Sequence, residues 1–161
     1  MMRPRVGFGY DVHRLDEGES FILGGVAIEH DKGPTGHSDA DVLLHAICDA
    51  MLGAANLGDI GQLFPDNSEE WEGADSQKLL QIVHQKVRDA GYQLGNIDAT
   101  VCLQQPKLTP YIPEMKKVIA DALHASPSVI SVKATTTEKL GFIGREEGIS
   151  ANAVVLLQTT C

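Results

Sequence analysis

Apolar and polar positions change period several times along the chain. Residues 6–13 alternate around glycines, the two-residue period of a strand. Residues 21–28 carry a second strand pattern, and Gly24-Gly25 within it predicts a bend or bulge. Residues 30–36 are a polar loop around Gly33-Pro34. Helical spacing then takes over. Leu43, Ile47, Cys48, Met51 and Leu52 supply the apolar surface of a helix that Ser38 or Asp39 can cap and that runs to about residue 57.

Residues 58–74 hold the sole tryptophan, Trp71, and read as a long loop, a length that in compact domains is often functional or mobile. A helix over 75–90 follows, with Leu79, Val83 and Val87 as its stripe and Gly91 as its stop. Residues 97–103 read as a strand, and Pro110 opens a third helix with Met115, Val118, Ile119 and Ala122 on one face. Strands at 131–137 and 151–159 complete the order. This order predicts an α+β fold, a two-layer sandwich with helices on one face of a mixed sheet. The other face needs cover, and self-association is one way to supply it.

The 161 residues fit one domain spanning 1–161. A formal charge of −9 argues against a nucleic-acid binder. No apolar run approaches the roughly 20 residues of a membrane span, and the N-terminus lacks signal-peptide or transit character, so a cytoplasmic location is expected. Cys48 and Cys102 read as small buried hydrophobes, Cys161 as a mobile terminal residue, and the odd count fits a reducing compartment.

Chemistry concentrates in two places. In a strand, Asp11 and His13 share a face, and His45 arrives from the apolar helix. Two imidazoles and a carboxylate suit a zinc ion with one open position. The same spacing also fits a hydrogen-bonded core histidine. On the helix, Asp41, His45 and Asp49 recur at i, i+4 and i+8, so acids are expected to support the ligand or to tie the helix to the sheet. The second place runs from Lys133 to Arg145. Its Thr135-Thr136-Thr137-Glu138 run offers hydroxyls for phosphate oxygens and one carboxylate for Mg²⁺, or else forms a Thr-rich edge strand before a Gly-rich turn. His30, His84 and His124 read as surface or structural residues. Lys107, Lys133, Lys139 and Arg145 read either as phosphate-facing cations or as solvated surface groups.

Five ordered motifs closely resemble the 2-C-methyl-D-erythritol 2,4-cyclodiphosphate synthase family of the non-mevalonate isoprenoid pathway. They are Gly9-Tyr10-Asp11-Val12-His13-Arg14, Gly36-His37-Ser38-Asp39-Ala40-Asp41-Val42, Gly58-Asp59-Ile60-Gly61 with Phe64-Pro65-Asp66, Pro106-Lys107, and Thr135-Thr136-Thr137-Glu138-Lys139-Leu140-Gly141-Phe142. Tyr10 stands where the family usually has Phe, and Leu103, Gln104 and Gln105 vary a loop.

The resemblance implies a lyase that converts 4-diphosphocytidyl-2-C-methyl-D-erythritol 2-phosphate to the 2,4-cyclodiphosphate with release of CMP. It implies Zn²⁺ on Asp11, His13 and His45, and Mg²⁺ or Mn²⁺ on Glu138 and the substrate diphosphate. His37 and Ser38 would hold the phosphate end, and His37 with Thr136 would stabilise the transition state. Asp59, Ile60, Gly61, Phe64, Pro65, Asp66, Asn67 and Ser68 would surround the methylerythritol. Leu103, Gln104, Gln105, Pro106, Lys107, Leu108 and Thr109, with Ala134 and Thr135, would form the cytidine pocket. Val12 and Thr137 also fall among the substrate contacts. The assembly implied is a homotrimer with sites between subunits. Phe142 and Arg145 would face a three-fold axis whose cavity holds an isoprenoid diphosphate. A zinc-dependent phosphohydrolase would use the same ligands, and a trimeric scaffold with a structural zinc is a third reading.

Overall fold

The computed structural model describes residues 1–160, and Cys161 lies outside the described residues. Seven strands and five α-helices follow in order: β1 (Pro4–Glu17), β2 (Ile22–Leu23), β3 (Val26–Ala27), β4 (Lys32–Thr35), α1 (Val42–Ala55), α2 (Ile60–Leu63), α3 (Ser76–Asp89), β5 (Tyr92–Cys102), α4 (Ile112–Ala122), β6 (Ile130–Thr135), α5 (Gly141–Gly144) and β7 (Gly148–Thr159). The main sheet has the order β4-β1-β7-β5-β6. Only the β5–β6 pair is parallel, so the sheet is mixed and the fold α+β, as expected.

Alternation along each strand separates the two faces. Ile149, Ala151, Ala153, Val155 and Leu157 of β7 and Ile97, Ala99 and Val101 of β5 are buried beneath the helices. On β1 the buried positions include two glycines. A Cβ at Gly7 would overlap the carbonyl oxygen of Ala50, and one at Gly9 that of Ala46. The missing side chains let α1 lie directly on β1. Twelve of the fourteen α1 residues are buried, as befits a helix covered by the sheet on one side and α3 on the other. The opposite sheet face exposes Val6, Phe8, Tyr10, Val12 and Val154.

Several boundaries differ from expectation. Residues 21–28 form two short strands around Gly24 and Gly25, whose φ values of 58° and 72° reverse the chain. The 30–36 loop contains β4, an edge strand that tolerates Pro34. Neither Ser38 nor Asp39 caps α1. Ala40 is left-handed (φ 57°), and Asp41 is the cap, its side chain accepting the Leu44 N–H. The 58–74 loop contains α2 and a 3₁₀ turn at Glu69–Trp71. A 3₁₀ turn at Thr109–Tyr111 delays α4 to Ile112, and the strand expected to reach 137 stops at Thr135. Cys102 is only half-buried, whereas Cys48 is buried inside α1 and burial pushes its thiol far up. His84 is buried, while His124 is exposed at φ 50° beyond α4. Among the described residues no helix is long and apolar enough to cross a membrane.

Candidate metal centre and flanking pockets

Strand period and helix position bring Asp11, His13 and His45 together, with one ligand atom of each lying within 4.8 Å of the others. Asp11 Oδ2 is 2.9 Å from His13 Nε2 and 3.1 Å from His45 Nδ1, and these two nitrogens are 3.4 Å apart. The remaining nitrogens are occupied. His13 Nδ1–H donates to the Thr35 carbonyl at 3.1 Å, because a carbonyl can only accept. His45 Nε2 meets Ser76 Oγ at 2.9 Å and Ser38 Oγ at 3.1 Å.

Three electron-rich atoms thus converge on one point, an arrangement that only a cation reconciles. Without a metal, a proton serves. Burial pushes the Asp11 carboxyl up, but its contacts with His13 and His45 outweigh this and bring it to about 2. Burial disfavours imidazolium at His45, yet the hydrogen bond and charge of Asp11, with Asp41 and Asp39 behind it, raise its pKa. The donor set fits a zinc ion with an open position.

The acids of α1 do not touch the His45 ring. Both oxygens of the fully buried Asp41 face away, accepting the N–H groups of Gly24 at 2.9 Å and Gly25 at 2.7 Å. Asp49 accepts the Ile60 N–H at 2.8 Å and so fixes the start of α2. The acid behind His45 is instead Asp39, acting through Ser76. Sequence reasoning missed both residues as parts of the site. Asp39 comes from the loop before α1 and Ser76 from the first residue of α3, and neither carries a periodic signal.

The three donors open into a cavity of about 310 Å³ whose walls include His37, Ser38, Ile60, Gly61, Phe64 and Asp66. Trp71 and Leu79, not anticipated, complete it. Asp59 caps α2 through the Gln62 N–H at 2.9 Å, and Pro65, Asn67 and Ser68 continue the same loop. His37 Nε2 lies 3.3 Å from the Ser68 carbonyl, which ties that loop to the site.

A second cavity, about 250 Å³, is lined by Leu103, Gln104, Pro106, Lys107, Leu108, Thr109, Ala134, Thr135 and Thr136. Gln105 sits in the same turn. The two cavities share no lining residue. Register places Asp11 beside Ala151, Ala151 beside Val101, and Val101 beside Ala134. The cavities therefore lie at one level of the sheet, three strand spacings or about 14 Å apart.

The Thr136–Leu140 turn leaves Glu138 exposed at φ 53°, its N–H donating to Thr136 Oγ1 at 3.1 Å, while Thr137 Oγ1 donates to the Leu140 carbonyl. Neither Thr137 nor Glu138 lines either cavity. Val12 alternates away from Asp11 and His13 along β1 and, with Phe142, lines a further cavity of about 480 Å³ whose walls also include His13. Arg145 is exposed and pairs with Glu147 at 2.9 Å.

The profile of the YgbB family matches residues 4–158. The chain belongs to the YgbB family. Its relatives include the 2-C-methyl-D-erythritol 2,4-cyclodiphosphate synthase of Porphyromonas gingivalis, 61% identical over 158 residues, with 98% of each chain covered. The same-named protein of Bacteroides fragilis is 58% identical over 156 residues, covering 97% of this chain and 98% of the relative. Among solved structures, the bifunctional IspDF from Campylobacter jejuni matches with a TM-score of 0.95 at 45% identity, over 99% of this chain and 43% of its own. IspF from Plasmodium falciparum, solved as a CDP complex, matches with a TM-score of 0.86 at 37% identity, over 98% and 97%.

Proposed function

We propose that this chain is a 2-C-methyl-D-erythritol 2,4-cyclodiphosphate synthase, a phosphorus–oxygen lyase of isoprenoid precursor biosynthesis. One observation carries the reading: the Asp11, His13 and His45 donors converge on the wall of a cavity whose other walls bear His37, Ser38 and Asp66. Relatives at 58–61% identity bear the synthase name.

The substrate is 4-diphosphocytidyl-2-C-methyl-D-erythritol 2-phosphate. An oxygen of its 2-phosphate forms a bond to the β-phosphorus, the bond from that phosphorus to the CMP oxygen breaks, and CMP leaves as the ring closes. The nucleophile is already an anion, so no strong base is required. Zn²⁺ on Asp11, His13 and His45, with Mg²⁺ or Mn²⁺ on Glu138 and the diphosphate, would polarise phosphoryl oxygens and offset the repulsion between anions. His37 and Ser38 hold the phosphate end. The Thr136 hydroxyl and His37 stabilise charge as the bond forms. The 59–68 segment encloses the methylerythritol and the second cavity takes the cytidine; the CDP complex of the Plasmodium falciparum relative supports a cytidine nucleotide as ligand. Fixing both ends of one molecule turns ring closure into a proximity effect.

The two cavities share no wall, and the exposed apolar sheet face needs cover. A homotrimer with each site built between two copies answers both needs, and its axial cavity beside Phe142 suits an isoprenoid diphosphate. ³¹P NMR of the protein with the cytidyl substrate and Mg²⁺, before and after zinc removal, tests the reaction. Cyclic-diphosphate resonances with CMP, lost without zinc and restored by it, are expected. Hydrolysis products alone would replace the synthase with a phosphohydrolase.

A further inference from the structure

Two hydroxyls meet the outer nitrogen of His45, and they differ in freedom. The Ser38 hydroxyl accepts the Ala40 N–H at 3.3 Å and its own proton can turn. Ser76, fully buried at the first residue of α3, donates its hydroxyl proton to Asp39 Oδ1. The other oxygen of that carboxylate accepts the Ser76 backbone N–H at 2.9 Å, so Asp39 holds Ser76 from two sides. A hydroxyl whose single proton is committed can only accept in its remaining directions. The Ser76 oxygen, 2.9 Å from Nε2, therefore receives the His45 Nε2–H. With Nε2–H held by Ser76, Nδ1 faces the Asp11 carboxylate at 3.1 Å, and it is the Nδ1 proton donated to Asp11 that a bound cation would replace.

We infer that Ser76, oriented by Asp39, is a positioning residue that selects which nitrogen of His45 is free to bind a cation. The inference rests on the reading of Asp11, His13 and His45 as a metal centre. Neither Ser76 nor Asp39 lines the cavity into which the three donors open. Their effect passes through the imidazole. A histidine held in the opposite tautomer must move a proton before it can coordinate, and partners behind a ligand typically change metal affinity by about 10–100-fold.

Two substitutions act differently. Ser76→Ala removes the acceptor and leaves Ser38 alone at Nε2. Asp39→Asn is nearly isosteric but keeps one acceptor oxygen where Asp39 has two. Whichever way the carboxamide turns, its nitrogen meets a donor, the Asp41 N–H that Oδ1 accepts at 3.2 Å or the Ser76 N–H that Oδ2 accepts at 2.9 Å, so the hold on Ser76 is loosened.

The test uses the 161-residue chain and two readouts: zinc retention against a chelator of known affinity, and ¹H–¹⁵N NMR of the His45 Nε2–H, with its solvent exchange, in zinc-loaded protein. The wild type is expected to retain zinc and to show a slowly exchanging, hydrogen-bonded Nε2–H. Both variants are expected to show a faster-exchanging Nε2–H and to lose about 10–100-fold in zinc affinity. A purely structural role would lower the melting temperature and leave Nε2–H exchange and affinity unchanged. Equal affinity in wild type and Asp39→Asn overturns the inference and leaves the metal centre standing. Failure of the wild type to retain zinc overturns the centre and the inference together. Should Ser76→Ala not fold, the shape-conserving Asp39→Asn carries the comparison alone.

Discussion

At the scale of single residues, Asp11 links the chemistry of the site to its stability. Its carboxyl sits at about 2 in the folded protein, against roughly 3.9 in an unfolded chain. A depressed carboxyl contributes stability that is complete above the unfolded value and is lost as pH falls toward the folded one. In metal-free protein the expected loss is about 2–3 kcal/mol between pH ~4 and pH ~2. Viewed from His45, whose pKa is raised, the same ion pair fades as pH rises through that higher value, so the two shifts describe one interaction. Chemical denaturation of metal-free wild type and Asp11→Asn across this range checks the slope, and parallel curves would remove Asp11 as its source. The three candidate donors were legible in the sequence because strand and helix periods alone place them. Asp39 and Ser76 were not, because a loop residue and the first residue of α3 meet through the path of the chain and not through any period.

At the scale of elements, the close contact of α1 with β1 sets the distance from Asp11 to His45. Gly9, two residues before Asp11 in β1, faces Ala46, the residue after His45 in α1. Gly9→Ala forces helix and strand apart, so a loss of about 3 kcal/mol or more is expected, together with weaker zinc retention. An unaltered melting temperature with unaltered zinc retention would show that the contact yields without moving the ligands. The alternation around glycines announced a strand but not which face the helix would press against. Asp41 shows the same limit. On a helical wheel it shares a side with His45, yet its place at the cap turns its oxygens toward Gly24 and Gly25. Cap position overrides the wheel, and only the chain reversal at residues 24–25, read as a bend within one strand, would have revealed its partners.

At the scale of the molecule, a strand's alternation leaves Val6, Phe8, Tyr10 and Val12 together on the exposed sheet face, and such a patch marks an interaction surface. If a second copy covers it and each site combines the metal side of one subunit with the nucleotide side of another, two inactive variants can repair one another. His45→Ala disables only the first half of every site. Substitution of Ala134 by a bulky Trp, blocking the second cavity, disables only the other half. Each alone should be nearly inactive. After mixing and reassembly, random combination gives about one site in four with both halves intact, and synthase activity should return to that order. Activity that stays at the level of the separate variants, in trimers shown by sedimentation to be mixed, would place both halves of the site within one chain.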